Sequence, residues 1–242
     1  MILNNIEEIL CSIKSEVQIK LEELKSKELK ISWKEDKSIL TEMDLYISDL
    51  VKSEFKEKYP AINFYSEEDQ ESTNYPVIIL DPIDGTKEFA EGIGECAISL
   101  AVMYSEKLDD DRNFGWLYNP FTGFEVNSKF VKKHDFEYFE KLSCLVSRTE
   151  YSNGHYRDNR FDEFNVVPRG SIAFKLGLLS IGATDFIISL RNKNVWDIAA
   201  GTIILKKCGV SIFENGKKLE TLPIREYQSE LIWCVDKLKE RI

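Results

Sequence analysis

The first thirty residues carry Ile6, Ile9, Leu10, Ile13, Val17, Leu21 and Leu24 at helical spacing, with Glu and Lys between them. That stripe predicts an amphipathic helix. A second helix is expected to start near Thr41, where Thr41-x-x-Asp44 has the form of a capping box, and to end before Pro60. Residues 61–65 and 77–80 are short apolar runs, each stopping at a cluster of acids. They read as strands whose carboxyl ends present charge. Residues 96–104 and 114–126 have β-character, the latter a pair of strands turned by Asn119-Pro120 and Thr122-Gly123, and 109–113 is a polar loop. Beyond them the pattern predicts a strand at 142–147, a loop, a helix at 173–181, a strand at 185–190 and a helix at 196–207. Asn215-Gly216 signals a hairpin. Alternating strands and helices imply a layered α/β (α+β) architecture. The aperiodic stretch 132–141 is the expected junction between two halves, 1–141 and 142–242.

Composition narrows the possible partners. The 242 residues hold 32 Lys and Arg against 42 Asp and Glu, a net charge of −10, which argues against nucleic-acid polymers and anionic membranes. No apolar run approaches the ~18 residues of a membrane span. Acids from Glu7 onward make the N-terminus unlike a signal peptide. Five scattered cysteines without a CxxC pair fit buried thiols in a reducing cytoplasm. His134 and His155 lie in polar stretches without ligand spacing and read as surface residues. Trp116, Tyr118, Phe121 and Phe124 alternate as core or interface aromatics in β-structure do.

The chemistry concentrates in Asp81-Pro82-Ile83-Asp84-Gly85-Thr86, directly after the apolar run Val77-Ile78-Ile79-Leu80. Two carboxylates three residues apart at a strand end cannot both be buried unpaired. A hard cation resolves the conflict, and Mg²⁺ takes oxygen ligands while keeping waters that a phosphate can displace. Pro82 fixes the turn, Gly85 permits close backbone geometry and Thr86 puts a hydroxyl where a water could be oriented. A bare DxxD is usually a solvated turn; the full six-residue run is far more restrictive. Taken singly, Glu67-Glu68 after the preceding strand reads as a solvated loop, and Asp197 as a charge at a helix N-terminus. Converging together, these acids would need two or more cations, the equipment of metal-assisted phosphoryl transfer.

Taken in order, Lys34-x-Asp36-x-Ser38-x-x-Thr41-x-x-Asp44, Ser66-Glu67-Glu68-Asp69, Asp81 to Phe89 and Trp196-Asp197-Ile198-Ala199-Ala200-Gly201 resemble the inositol monophosphatase superfamily. The resemblance implies a layered αβαβα sandwich of the inositol monophosphatase and sugar phosphatase type. It also implies a lithium-sensitive, Mg²⁺-dependent phosphomonoesterase using two or three ions, and relatives that are often dimers. Gly85-Thr86-Lys87-Glu88-Phe89, the upstream Ser-Glu-Glu-Asp and Gly170-Ser171-x-Ala173-x-Lys175 look most like CysQ-type 3'(2'),5'-bisphosphate nucleotidases. By resemblance, Glu67, Asp81 and the Ile83 carbonyl would hold one ion, Asp81, Asp84 and Asp197 a second, and Glu67 would help with a third. Thr86 and Asp44 would position and deprotonate the attacking water with Glu68 in support, and the Gly85 and Thr86 backbone would contact the phosphate. Lys34, Ser147, Arg148 and Lys175 are further candidate substrate contacts on the same basis.

Departures from the family pattern bear on substrate. Ile39 stands where relatives often carry Pro, and Gly209-Val210 replaces a closing Gly-Gly. Leu190 replaces the Glu that binds inositol seven residues before the metal-binding Asp, which counts against an inositol phosphate. Arg191 and Lys193 fit either a solvated loop or a second phosphate. The expected substrate is adenosine 3',5'-bisphosphate, hydrolysed to AMP. The alternatives are inositol-1-phosphate or a sugar phosphate and, in another class, a metal-dependent nucleotide sensor with little turnover.

Overall fold

The computed structural model describes residues 5–25, 31–33, 39–133 and 141–242. Lys34, Asp36, Ser38, His134 and most of the expected junction lie outside the described residues.

Helix α1 (Ile6–Lys25) buries the whole predicted stripe from Ile6 to Leu24. A short hairpin, β1 (Ile31–Trp33) with β2 (Ile39–Thr41), leads into α2 (Glu42–Lys58). Thr41 caps α2 with a complete capping box, and Met43, Ile47, Val51 and Phe55 form its buried face. Both helices pack on one face of a five-stranded sheet, whose strand order follows the chain. Its members are β3 (Asn63–Ser66), β4 (Val77–Asp84), β5 (Ala97–Met103), β6 (Phe114–Tyr118) and β7 (Glu125–Asn127). The pair β3–β4 is parallel and the other pairs are antiparallel. A five-residue helix, α3 (Thr86–Ala90), follows β4.

Side chains of a strand alternate between faces, so β4 and β5 serve two cores. Ile78, Leu80, Ile98, Leu100 and Val102 meet α1 and α2, whereas Val77, Ile79, Ala97, Ala101 and Met103 join the larger core. Burial on both faces explains the uninterrupted apolar run that precedes Asp81.

The second sheet contains β8 (Ser143–Ser147), β9 (Asn165–Arg169), β10 (Phe186–Ser189), β12 (Ser211–Glu214), β13 (Lys217–Lys218) and β15 (Leu231–Cys234), in the order β13-β12-β15-β10-β8-β9. A small ladder joins β11 (Lys193–Asn194) to β14 (Glu226–Tyr227). Between the sheets lie α5 (Ile172–Ser180) and α6 (Val195–Cys208), while the short α4 (Arg148–Ser152) and a turn at Asn159–Phe161 follow β8. Tyr156, Phe161 and Phe164 join the second sheet's core, Phe164 edge-on to Phe186. The layered α/β expectation describes this arrangement. Strand β9 differs from expectation: Asn165-Val166-Val167-Pro168-Arg169 sits inside the predicted loop. Its edge position tolerates Pro168, which cannot donate to a ladder. The hairpin at Asn215-Gly216 forms with φ of +48° and +75°, the left-handed pair that a two-residue turn requires.

Helix α6 is wedged between its neighbours. A Cβ on Gly115 of β6 would collide with the Ala200 carbonyl, and one on Gly201 would lie 2.5 Å from Leu176 Cβ. Gly115→Ala should therefore destabilise the protein by about 1–3 kcal/mol, the usual cost of overpacking. A urea midpoint equal to wild type would show that α6 has room to move. No helix among the described residues is long and apolar enough to cross a membrane.

Candidate active site

The carboxylates gather where β3, β4, α2 and α6 end or begin. Parallel pairing sets Ser66 opposite Leu80, so the turn after β3 carries Glu67 alongside the end of β4. The β4–β5 register shifts between Asp81 and Asp84, which lets both acids belong to the site. Asp197 lies in the first turn of α6, where its Oδ2 accepts the Asn194 amide at 2.8 Å. The Trp196 carbonyl just before it accepts a buried hydrogen bond from Ser99 Oγ at 2.9 Å, and Ser99 pairs with Asp81 in the sheet. One ligand oxygen from each of Asp81, Asp84 and Asp197 lies within 4.8 Å of the others.

This cluster is electrostatically unfinished. Asp81 is fully buried and its Oδ1 has no hydrogen-bond partner. Burial, then repulsion from Glu67, Asp84, Asp197 and Asp44, holds the Asp81 carboxyl well above the usual carboxylate range. Burial also raises Asp84, partly offset by hydrogen bonds from Ser171 and Ala173. Asp197 is pushed up to about 8 by burial and by Asp84. A set of all-oxygen donors, one buried and two half-buried, with an orphaned acceptor fits a hard divalent cation. Asp81, Asp84 and Asp197 could hold one directly. Glu67 lies near enough for its charge to act on Asp44, Asp81 and Asp197.

Asp44 stands beside the cluster at the start of α2. Its Oδ2 accepts from the Thr41 amide at 2.8 Å and the Thr41 hydroxyl at 2.5 Å, while Thr86 Oγ1 lies 3.3 Å from its Oδ1. Burial lifts Asp44 to about 6, with the Thr41 bonds opposing and the charges of Glu67 and Glu68 adding. Thr86 also reaches the Ile83 carbonyl at 2.9 Å. Its hydroxyl has one hydrogen to give, so only one of these acceptors is served at a time. Gly85 takes φ of +88°, and a Cβ there would stand 3.0 Å from the Glu95 carbonyl and 3.1 Å from Ser171 Cβ.

The motif Gly170-Ser171-x-Ala173-x-Lys175 receives a local explanation. Ser171, at φ of +47°, donates its hydroxyl to Asp84 Oδ2 at 2.5 Å, and the Ala173 amide reaches the same oxygen at 2.5 Å. Lys175 is buried, and its ammonium donates to the carbonyls of Arg169, Gly170 and Ser171 at 3.3, 3.2 and 2.9 Å. Those three bonds use its three hydrogens, so Lys175 holds the turn that orients Asp84. Burial lowers it to about 8.

A cleft of about 200 Å³ opens beside Asp84 and Asp197. Ser147, Arg148, Lys175 and Lys193 line it. Ser147 Oγ also caps α4 through the Glu150 amide at 3.3 Å. Arg191 is exposed away from the cleft lining, with Nη2 3.4 Å from His155 Nε2, and buried Glu150 accepts the Leu190 and Arg191 amides. Arg169 and Glu88 line the cleft as well, and behind the two arginines sits Glu95. Neither Arg169 nor Glu95 was expected at the site, for Glu95 is a lone acid between Gly94 and Cys96 with no spacing to mark it. The aromatics Trp116 and Tyr118 stack within the core at 5.6 Å, whereas Phe121 is exposed.

Comparison with known proteins agrees with this geometry. The profile of the inositol monophosphatase family matches residues 3–228. "Inositol monophosphatase 3" of Solanum lycopersicum is 24% identical over 200 residues, covering 73% of each chain. A "Fructose-1,6-bisphosphatase" of Pyrococcus furiosus is 32% identical over 186 residues, covering 73% of this chain and 70% of its own. Among solved structures, the Thermotoga maritima IMPase is similar at a TM-score of 0.80 and 22% identity, with 97% and 94% of the two chains covered. A structure described as an IMPase/NADP phosphatase complexed with Mg²⁺ and phosphate also reaches 0.80, at 16% identity over 100% and 94% of the chains. A family match over nearly the whole length, on a fold that brings Asp81, Asp84 and Asp197 together, places this chain in the inositol monophosphatase family of phosphoric monoester hydrolases.

Proposed function

We propose that the protein is a Mg²⁺-dependent phosphatase whose preferred substrate is adenosine 3',5'-bisphosphate, converted to AMP and phosphate. The observation that carries the substrate choice is the cationic wall of Arg148, Arg169 and Lys193 in the cleft beside Asp84 and Asp197. A second phosphate there would meet guanidinium donors suited to it. Leu190 offers no carboxylate for an inositol hydroxyl, and neighbours in fold include a structure described as 2'AMP-bound SaIMPase-II.

Asp81, Asp84 and Asp197 would hold Mg²⁺ with Glu67 and the Ile83 carbonyl, two or three ions in all. When bound there, the ions would supply the Lewis acidity that activates a water and neutralises phosphate oxygens. The chain's own residues do the rest. Thr86 gives its hydroxyl hydrogen to Asp44 Oδ1 and presents its lone pair to the attacking water. Turning that hydroxyl toward Asp44 also frees the Ile83 carbonyl. Asp44, raised by burial and anchored by Thr41, takes the Thr86 hydroxyl proton as Thr86 takes one from the attacking water, near the working pH where general bases act best. Glu68 supports Asp44 electrostatically, and the Gly85 and Thr86 backbone lies against the phosphate. No side chain becomes phosphorylated.

Inositol-1-phosphate or a sugar phosphate is the second candidate, favoured by the names of the curated relatives. Phosphate release should be measured with Mg²⁺ and with EDTA from adenosine 3',5'-bisphosphate, inositol-1-phosphate, fructose-1,6-bisphosphate and NADP. Mg²⁺-dependent preference for the nucleoside bisphosphate is expected. Preference for inositol or sugar phosphate would keep the metal site and overturn the nucleotide assignment. Release from none of them would point to a nucleotide sensor.

A further inference from the structure

Glu95 lies two residues before β5 of the first sheet, yet its side-chain partners, Arg148, Arg169 and Gly170, lie far along the chain. Arg148 Nη2 at the start of α4 and the Gly170 amide (2.7 Å) both donate to Glu95 Oε2, and Arg169 Nε at the end of β9 lies 3.5 Å from Oε1. The Glu95 side chain is only 18% exposed, so this contact is shielded from bulk solvent, while the two arginine side chains are 39% and 41% exposed and line the cleft. Each guanidinium has five N–H donors. Arg148 uses one of them on Glu95 and its Nε has no protein partner. Arg169 turns Nε to Glu95 and Nη1 to the Pro168 carbonyl at 3.0 Å. Donors are left over on both.

Without a counter-charge, two half-exposed guanidiniums on one wall would repel each other. A single carboxylate between them removes the repulsion and fixes both forks before any ligand arrives, which lowers the entropy lost on binding. The same carboxylate anchors Gly170, the residue before Ser171. We propose that Glu95 is a positioning residue that sets the preference for phosphate esters carrying a second anionic group, by holding Arg148 and Arg169 on the cleft wall. This rests on the bisphosphate assignment above and adds the residue that makes the wall selective.

Glu95→Gln retains the size and an acceptor for the Gly170 amide but loses the charge. The readout is the ratio of kcat/KM for adenosine 3',5'-bisphosphate to that for p-nitrophenyl phosphate. Loss of a charge-assisted contact should lower the ratio about tenfold, mostly through KM for the bisphosphate. Arg148→Ala should lower it similarly, and the double variant should fall below Arg148→Ala alone but by less than the product of the two single effects, because only the hold on Arg169 is then left to lose. A purely structural role would lower both substrates by the same factor, and an unchanged ratio overturns the proposal. If wild type does not hydrolyse the nucleotide, the bisphosphate assignment fails separately. The ratio is then read with fructose-1,6-bisphosphate, and a ratio that Glu95→Gln does not move there also overturns the role of Glu95.

Discussion

Asp84→Asn should reduce phosphate release roughly a thousandfold or more, while raising the melting temperature of the metal-free protein at pH 8. The first effect follows from removing a proposed charged ligand: several kcal/mol of transition-state stabilisation, at about 1.4 kcal/mol per tenfold, amount to that factor. The second follows from the geometry of Asp84, whose Oδ2 takes hydrogen bonds from Ser171 and Ala173. An amide oxygen accepts both bonds as well, so the turn into α5 persists. What disappears is one of the charges that raise Asp81 and Asp197. A variant that is dead and less stable without metal would mean that Asp84 holds the fold rather than the ion. Full activity would remove it from the site.

Metal-free wild type should lose stability as pH rises from about 4 to 8, and Mg²⁺ should reverse most of that loss. Unfolded carboxylates titrate near 3.9, whereas Asp44 is held at about 6 and Asp197 at about 8, with Asp81 and Asp84 raised beside them. Below about pH 4 these groups are protonated in both states. Above it the unfolded chain ionises first, so each raised group withdraws stability until the pH passes its folded value. For Asp44, shifted from 3.8 to about 6, the loss amounts to about 3 kcal/mol. A bound cation favours the ionised carboxylates and competes with their protons. At a hundred times its Kd, one ion adds about 2.7 kcal/mol, roughly 5–10 °C for a chain of this size. Differential scanning fluorimetry at pH 5 and pH 8, in Mg²⁺ and in EDTA, should therefore show the larger Mg²⁺ shift at pH 8. Equal shifts at both, or none, would refute the cluster.

Much of this was legible in the sequence because the site and the fold share local signals. Thr41 and Asp44 announce a helix start through their spacing, and the same bond that caps α2 fixes Asp44 for chemistry. The apolar run before Asp81 marks a central strand, and the predicted helices at 173–181 and 196–207 differ from α5 and α6 by only a residue at either end. Other features had no local mark. Glu95 finds its partners 53 and 75 residues away, across two sheets, and no short-range pattern encodes such a contact. Lys175 lines the cleft, and no local pattern showed that three carbonyls of the preceding turn also take its ammonium. Strand β9 escaped because Pro168 breaks a strand pattern everywhere except at an edge.

Helix α6 carries Asp197 at its first turn, and the Ala200–Gly201 pair one turn later touches β6 and α5 where only glycine-sized contacts fit. Three residues separate Asp197 from the tightest packing in that layer, so a displacement of the helix moves its carboxylate out of the cluster with Asp81 and Asp84. Mutational tolerance along this helix should therefore ignore the usual boundary between scaffold and catalyst. Under selection for turnover, Gly115 and Gly201 would be as intolerant of change as Asp197 itself, although neither can touch a substrate.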